Sequence, residues 1–160
     1  MRGVSATQVS PSLASLRGCT DAFRAATAPC LDDLVGRLRA CPTGPTWLQR
    51  VTPAFLSATG MPGWWGKEFT APTTSGTVTG RNLVERAGTL APSFTMTASI
   101  GTSQVDAAPT VVATYTDDAP WPWRDVRDEL RLLPDGRLLG LSFGLVPLVP
   151  ASAPFLLERT

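Results

Sequence analysis

The spacing of apolar residues divides this 160-residue chain into a helical part and a longer β part. Up to residue 41, apolar positions recur every three or four residues, as on one face of an α-helix. After Gly60, short runs in which apolar and polar residues alternate are separated by clusters of Gly, Pro, Asp and Ser. This pattern predicts a mainly β protein, an antiparallel barrel or sandwich with an N-terminal helical segment, and a small barrel is the favoured architecture.

Two helices are predicted between residues 10 and 41. Ser10 caps the first helix and Pro11 occupies its first position, where the missing N–H does no harm. Its apolar stripe consists of Leu13, Leu16, Cys19 or Thr20, and Phe23. The second helix presents Leu31, Leu34, Val35, Leu38 and Cys41 on one face. With a further helical turn over residues 47–57, we expect a single domain with a helical cap (1–58) and a β-barrel (59–160).

Seven segments have the strand pattern: residues 64–70, 76–86, 92–100, 109–116, 124–133, 137–145 and 154–159. The tight turn at residues 134–136 joins its two flanking strands as an antiparallel hairpin. In the second of these strands, Gly140, Ser142 and Gly144 line one face, and the other face carries larger apolar side chains. If the small face points inward it leaves room for a ligand, and if it points outward it forms a bed for the helices. The alternation alone does not decide between these orientations.

Composition excludes several kinds of chemistry. The chain has no histidine, which removes Ser-His and Cys-His catalysis and His-ligated zinc or haem. Its net charge of +1 gives no electrostatic footprint for nucleic acid, and it has neither a Gly-rich phosphate loop nor a metal-ligand cluster. Three cysteines without CxxC spacing argue against a disulfide framework. Prolines interrupt the longest apolar stretch, 138–157, so we expect no membrane span. From the missing motifs we expect no metal and no cofactor, and we expect a reduced, cytoplasmic setting.

The most distinctive segment is Gly63-Trp64-Trp65-Gly66-Lys67-Glu68-Phe69. It resembles the Gly-x-Trp signature of the first strand of lipocalin-like (calycin) barrels, and it is most similar to the GXWXG-type bacterial proteins. The likeness covers residues 55–160 through short motifs in the same order: Tyr115-Thr116-Asp117-Asp118, Asp128-Glu129, Pro134-Asp135-Gly136, Leu139-Gly140 and Phe155-Leu156-Leu157-Glu158-Arg159. Gly66 departs from the pattern because it comes one position early.

The resemblance implies an antiparallel lipocalin-like barrel of about seven or eight strands with a pocket, and it names no reaction. In such barrels an arginine of the last strand packs over the tryptophan of the first strand. Arg159 with Trp64 or Trp65 would be that pair, a cation–π closure of one end. The two adjacent tryptophans point to opposite faces of a strand, so the inward ring is either an aromatic plug or a wall of a ligand cavity.

Asp128, Tyr115 and Glu68 are the candidate catalytic residues. If Leu130 and its alternate neighbours face inward, Asp128 does too, whereas Arg127, Glu129 and Arg131 face solvent. An inward carboxyl group has either a raised pKa, which suits an acid or base, or a partner such as Arg81 or Asn82. Tyr115 is inward by the same alternation and either donates to a ligand oxygen or is satisfied locally. Lys67, the single lysine, is expected at the surface, although a buried lysine would suit Schiff-base chemistry.

Ligand binding is predicted at aromatic and sulfur-containing side chains. In the segment 117–128, Pro120 and Pro122 hold the chain extended and present two tryptophans at the barrel mouth. These rings form either a lid over an apolar ligand or a contact with the helices. The candidate ligand-binding residues are Trp64, Trp65, Phe94, Met96, Trp121, Trp123 and Phe143.

The favoured function is binding of a small apolar or aromatic molecule in the barrel cavity. The alternative is a cofactor-independent isomerase, cyclase or lyase acting on a polyketide-, terpenoid- or lipid-like substrate, with carboxylate and tyrosine groups moving protons. A third hypothesis is a partner-binding module whose tryptophan loop docks a protein. A homodimer is also compatible with the sequence.

Overall fold

Eight strands close into one antiparallel barrel in the computed structural model, which describes residues 11–145 and 152–160. Each strand pairs with its neighbours in sequence, and the first strand pairs with the last. The elements in chain order are α1 (Leu16–Ala25), β1 (Gly36–Cys41), α2 (Thr46–Ala58), β2 (Trp64–Phe69), β3 (Thr77–Arg86), β4 (Thr89–Thr102), β5 (Pro109–Tyr115), β6 (Arg127–Leu132), β7 (Leu138–Phe143) and β8 (Ala153–Arg159). The mainly β antiparallel barrel expected from the sequence is therefore confirmed. No helix in the described ranges has the length and apolar character needed to cross a bilayer.

The prediction of a second helix over residues 31–41 is wrong. Leu31–Leu34 form a single 3₁₀ turn, Gly36 follows with a φ of +101°, and Gly36–Cys41 form β1. Within β1, Leu38 is buried between two exposed arginines, which is the alternation of a strand. Leu34 and Leu38 mimic helical spacing only because they lie in two different elements. The resemblance implied that the tryptophan-bearing strand is the first strand of the barrel, but it is the second, β2.

The helices and turns cover different parts of the barrel. The helix α2 lies at one end, where Phe55 and Leu56 pack against the interior core. Leu31 and Leu34 belong to the same core and precede Gly36, which pairs with Phe69 at the far end of β2. The helix α1 packs on the outside of the barrel, where its buried residue Phe23 joins the outward leucines of β7 and β8. The barrel is thus closed at both ends by residues that precede β2.

The small face of β7 points into the barrel. Gly140 lies directly under the Phe155 ring, because a Cβ atom at this position would be 2.1 Å from Phe155 Cζ. Ser142 faces a cavity, whereas Leu139 and Leu141 point outward and are buried beneath α1. One residue of the small face therefore accommodates an aromatic ring, and the next leaves open space.

Two of the three outward residues of β6, Glu129 and Arg131, are buried, contrary to the expectation that they face solvent, whereas Arg127 is partly exposed. Arg131 is 1% exposed and Glu129 is fully buried. The Arg131 guanidinium donates to Asp106 at 2.7 Å and to the Phe23 carbonyl at 3.0 Å, and it lies 4.6 Å from the Phe23 ring centroid. Glu129 accepts a hydrogen bond from the Ser103 hydroxyl at 2.6 Å. The direction of the side chains follows from alternation, but α1 and the loop after β4 cover them.

Candidate functional site

Five buried polar side chains meet inside the barrel, each at an inward position of a different strand. They are Lys67, Asn82, Tyr115, Asp128 and Ser142, and none is more than 9% exposed. Strand register brings them together, because Lys67 pairs with Asn82 across β2 and β3, and Asp128 pairs with Ser142 across β6 and β7. We call this group the polar cluster.

Lys67 is the centre of the polar cluster. Its Nζ atom lies 3.0 Å from Asp128 Oδ2, 3.0 Å from Asn82 Oδ1 and 3.2 Å from Tyr115 OH, so all three ammonium protons have acceptors. The expectation that Lys67 lies at the surface is wrong. Alternation along one strand does not reveal that an aspartate on another strand will neutralise its charge inside the barrel.

The remaining hydrogen bonds fix the orientation of each group. Asn82 Oδ1 also accepts from Trp64 Nε1 at 3.1 Å, which identifies it as the amide oxygen. The amide nitrogen of Asn82 therefore donates to Tyr115 OH, at 3.0 Å. Ser142 Oγ donates to Asp128 Oδ1 at 2.6 Å. Asp128 thus has a partner on each carboxylate oxygen, the Lys67 ammonium on one and the Ser142 hydroxyl on the other. The sequence allowed for a paired Asp128 but suggested Arg81 or Asn82 as the partner.

Protonation states in the polar cluster follow from these contacts. Burial alone would lower the pKa of Lys67, but the negative charge of Asp128 and the Tyr115 hydroxyl outweigh burial, and the pKa is raised. Burial raises the pKa of Tyr115, with the neighbouring Lys67 charge acting in the opposite direction. At neutral pH the lysine is an ammonium and the tyrosine a neutral phenol. Schiff-base chemistry requires a free amine, so the arrangement does not favour Lys67 as a nucleophile.

The polar cluster lies in the wall of an inner cavity of about 70 Å³. Aromatic rings form much of the rest of the wall, and α2 covers it with Leu48, Thr52, Phe55 and Leu56. The complete lining among the described residues is Leu48, Thr52, Phe55, Leu56, Met61, Trp64, Lys67, Asn82, Tyr115, Trp123, Asp128, Ser142, Leu145, Ala153, Pro154 and Phe155. A mostly apolar wall with a few convergent polar groups is typical of ligand sites.

A larger outer cavity of about 440 Å³ adjoins the inner one between α2 and the barrel rim. The two cavities share Leu48, Thr52, Leu56, Trp64, Pro154 and Phe155 as lining residues. No Asp, Glu, Lys or Arg side chain of the described ranges lines the outer cavity. The outer cavity is therefore a direct neighbour of the inner cavity that holds the polar cluster.

The structure separates the predicted tryptophans. Trp64 lines both cavities and meets Phe155 edge to face at 6.1 Å between ring centroids. A β-bulge at Trp65 turns this ring outward into a surface depression beside Arg39. Trp123 is buried and donates from Nε1 to the Thr59 carbonyl at 2.8 Å, whereas Trp121 is 55% exposed. The segment after β5 therefore packs one ring at the cavity and leaves the other in solvent.

The other predicted site residues are divided between the inside and the outside of the barrel. Met96 is buried with its sulfur 3.9 Å from Lys67 Nζ, and Phe94 packs against Trp123 with ring centroids 6.2 Å apart. Phe143 lies outside the barrel, in the apolar layer under α1. Glu68 also lies outside and bridges Arg37 and Arg81. The structure thus brings Asp128 and Tyr115 together and does not bring Glu68 to them.

Arg159 makes contacts other than those implied by the resemblance. Its guanidinium donates to the carbonyls of Val35 and Asp33, at 3.1 and 2.6 Å. The Lys67 ammonium lies over the Trp64 ring, with Nζ 5.8 Å from the ring centroid. The cation that meets the β2 tryptophan therefore comes from β2 itself, inside the barrel.

Sequence reasoning missed the contribution of α2, of Phe155 and of Lys67 to the site. The helix was predicted only as a turn, and nothing in its sequence indicates which end of the barrel it covers. No signal in the sequence indicated a buried Lys67, since lysine is almost never fully buried unless it is paired, and its partner Asp128 lies on a strand distant in sequence.

Comparison of the chain with protein-family models, with curated proteins and with solved structures gave no match. Within the described ranges, no three His, Cys, Asp or Glu side chains are grouped so as to bind a metal ion. The closed eight-stranded antiparallel barrel with an N-terminal helix is consistent with a calycin-like barrel.

Proposed function

We propose that this protein binds a small apolar or aromatic molecule inside the barrel. The observation that carries the proposal is an apolar, aromatic-walled inner cavity that contains the polar cluster, beside a larger cavity under α2 that shares six of its lining residues. Core packing alone would fill this space with side chains, because protein interiors are packed about as densely as organic crystals. A ligand site needs both the open space and a few oriented polar groups.

We also propose that the chain is related to the GXWXG-type group of lipocalin-like proteins. Residues Trp64–Phe69 of the distinctive segment form β2, and Trp64, the first of its two tryptophans, lines the cavity. Gly66 lets β2 approach β1 closely, because a Cβ atom there would lie 2.0 Å from the Leu38 carbonyl oxygen. The chain departs from that group in strand β1, which precedes the tryptophan strand, and in the early position of Gly66. It also departs in Trp65, the tryptophan of Gly63-x-Trp, which lies in a surface depression.

The size of the cavities supports a ligand that extends from the inner to the outer one. The inner cavity, about 70 Å³, has room for only a few heavy atoms. The outer cavity, about 440 Å³, falls within the range of sites for small organic molecules. A bound molecule would therefore place one end against the polar cluster and its bulk against Trp64, Phe155 and α2.

Titration with the neutral fluorescent probe N-phenyl-1-naphthylamine tests the proposal. We expect saturable binding at one probe per chain to the wild-type protein. The variant Ala153→Leu, which extends a side chain of β8 into the inner cavity, should weaken binding about tenfold or more. Ala25→Leu makes the same change at an exposed position of α1 and should bind like the wild type.

Two results would oppose the proposal. Absence of saturable binding to the folded wild-type protein would mean that the cavity does not open to ligands. Equal binding by the wild type, Ala153→Leu and Ala25→Leu would place the probe at some other apolar surface, such as the exposed Trp47 and Val51 of α2.

A cofactor-independent isomerase, cyclase or lyase is the second candidate, and the juxtaposition of Asp128 and Tyr115 in the cavity wall favours it. Both groups contact the Lys67 ammonium, so a carboxylate and a phenol face the same space. This pairing suits removal of a proton next to a carbonyl group whose oxygen is held by the phenol. Deuterium uptake at the methyl group of 2-acetylnaphthalene in D₂O, above the buffer rate and lost in Asp128→Asn, would support the enzyme.

A further inference from the structure

The hydroxyl proton of Tyr115 is an unused donor of the polar cluster, together with one N–H of the Asn82 amide, whose other N–H donates to Tyr115 OH. The phenol oxygen accepts hydrogen bonds from Lys67 Nζ at 3.2 Å and from Asn82 Nδ2 at 3.0 Å. Both partners are donors, since Lys67 is an ammonium and Trp64 fixes the orientation of the Asn82 amide. Among the described residues, no acceptor takes the Tyr115 proton, although the side chain is almost fully buried.

A buried hydroxyl donor without an acceptor is destabilising, because its interaction with water is lost and not replaced. Tyr115 lines the inner cavity, where an oxygen atom of a bound molecule would restore the missing bond. Two donors already on the phenol oxygen make its proton a stronger donor, because hydrogen bonds in series polarise one another. The position therefore selects an acceptor atom at the inner end of the ligand.

The charges of the site select a ligand without net charge. Lys67 and Asp128 neutralise each other at 3.0 Å, and no other Asp, Glu, Lys or Arg of the described ranges lines either cavity. An anionic ligand would have to compete with Asp128 for the ammonium or remain buried and unpaired, which is unfavourable. A neutral oxygen, such as that of a carbonyl or an alcohol, meets Tyr115 without this penalty.

We infer that the preferred ligand is a neutral, mainly apolar molecule with a terminal carbonyl or hydroxyl oxygen that accepts a hydrogen bond from Tyr115. This inference rests on the proposed binding function and specifies its ligand class. The oxygen occupies the inner cavity, and the apolar body extends under α2 along Trp64 and Phe155. Ketones and alcohols with an aromatic or branched hydrocarbon body belong to this class.

Three ligands with one hydrocarbon frame test the inference by calorimetric titration: 2-acetylnaphthalene, 2-ethylnaphthalene and 2-naphthoate. The first differs from the second by a carbonyl oxygen in place of two hydrogens, and the third carries a negative charge. We expect 2-acetylnaphthalene to bind about three- to tenfold more tightly than 2-ethylnaphthalene, the effect of one net hydrogen bond. We expect 2-naphthoate to bind more weakly than either.

The variant Tyr115→Phe removes the hydroxyl, and with it both the donor to the ligand and the acceptor of the bonds from Lys67 and Asn82. It should lose most of the preference for 2-acetylnaphthalene over 2-ethylnaphthalene. Thr110→Val is the matched control, because it deletes a buried hydroxyl that bonds to the Leu130 carbonyl and does not line either cavity. This control should keep the preference for the ketone. If Tyr115→Phe does not fold, the ligand series on the wild type carries the test alone.

The outcomes separate the inference from the function on which it rests. Equal wild-type affinities for the ketone and the hydrocarbon would overturn the assignment of a Tyr115 acceptor and leave the apolar binding site standing. Tighter binding of 2-naphthoate would overturn the neutral ligand class. Failure of all three ligands to bind would overturn the proposed function itself.

Discussion

Lys67 is a buried charge inside the barrel, and the free energy of unfolding should depend strongly on its partner. It is 2% exposed, and its charge is balanced by Asp128 on a strand that lies on the far side of the barrel. Removing one member of a buried ion pair leaves an uncompensated charge, whereas removing both is far less unfavourable. The stability of the protein should therefore depend on whether the pair is complete.

Lys67→Met should lower the free energy of unfolding by roughly 3–5 kcal/mol, because Asp128 would remain buried and unpaired. The double variant Lys67→Met/Asp128→Asn should recover most of this loss. Denaturant unfolding of the wild type and the two variants at neutral pH measures the difference. A double variant no more stable than Lys67→Met would contradict a stabilising ion pair.

Alkaline pH should destabilise the protein through the same cluster. The pKa values of Lys67 and Tyr115 are raised above their ordinary values of 10.5 and 10.0. A raised pKa in the folded state contributes stability that is complete below the ordinary value and is lost as the pH rises through the folded value. The free energy of unfolding should therefore fall above about pH 10.

The control proteins for this pH dependence are Tyr115→Phe and Lys67→Met/Asp128→Asn, each of which lacks one of the two titrations. Each should lose less stability than the wild type between about pH 9 and pH 11. The raised pKa values of Cys19 and Cys41 act in all three proteins and cancel in the comparison. Identical pH profiles would show that the cluster does not titrate with unfolding.

The orientation of individual side chains could be predicted from the sequence in β6 but not in β2. Alternation along β6 predicted that Asp128 points inward, and the structure agrees because the strand is regular there. The sequence predicted Lys67 at the surface and left the face of Trp65 undecided; the bulge between Trp64 and Gly66, which breaks the alternation of β2, brings both Trp64 and Lys67 inward. The partner of Asp128 could not be derived, since it depends on the register of strands distant in sequence.

Among the elements, α1 is held to the outside of the barrel by a polar contact set into an apolar layer. Arg131 of β6 donates to the Phe23 carbonyl of α1 and to Asp106, and its charge lies over the Phe23 ring. The hydrogen bonds from Arg131 lower the pKa of Asp106 to about 2. The attachment of α1 should therefore weaken in acid.

Asp106→Asn tests this contact. A pKa lowered in the folded state contributes stability that is present above the ordinary value of 3.8 and is lost as the pH falls toward 2. The variant should be less stable than the wild type at neutral pH, and the difference should shrink between about pH 4 and pH 2. Asp21→Asn, an exposed carboxylate of α1, is the control and should change stability little at any pH. A constant difference for Asp106→Asn across this range would contradict the assignment.

The helix α2 is attached to the barrel more loosely than α1. Leu48 is its one fully buried residue, Pro53 interrupts its hydrogen bonds, and Trp47 and Val51 are exposed. An element with few buried apolar contacts opens at lower free energy than the core. Because α2 lies over both cavities, its opening would admit a ligand.

Hydrogen exchange measures this opening. We expect the amides of α2 to exchange faster than those of β3 and β6, and a saturating neutral ligand to slow the α2 amides more than the α1 amides. The helix α1 serves as the internal reference, since it packs on the outer face of the barrel away from the cavities. Ligand protection confined to elements other than α2 would rule out this route of entry.

At the element scale, the sequence predicted the hairpin strands well and the first strand not at all. The turn at residues 134–136 connects β6 and β7 as expected, because local turn chemistry determines such a pair. Strand β1 becomes a strand only by pairing with β2 and β8, which lie far from it along the chain. Non-local pairing of this kind leaves little signal in a short segment.

For the whole molecule, closure by β1 explains why the barrel holds a site. Eight strands give an interior just wide enough for side chains or for one small ligand. The far end of this interior is filled by apolar residues such as Phe69 and Leu34, and the end under α2 holds the polar cluster and open space. The mainly β class could be predicted from the sequence, but the position of the open space depends on how several strands and α2 pack together.

Native mass spectrometry tests the central claim most directly. The protein would be mixed with an apolar solvent extract of the cells that produce it, separated from excess extract, and sprayed under native and denaturing conditions. We predict one small neutral molecule per chain in the native spectrum, lost on denaturation, absent from Ala153→Leu and present in Ala25→Leu. A spectrum of the bare chain for the wild type, or the same retained molecule in Ala153→Leu, would contradict binding in the barrel cavity.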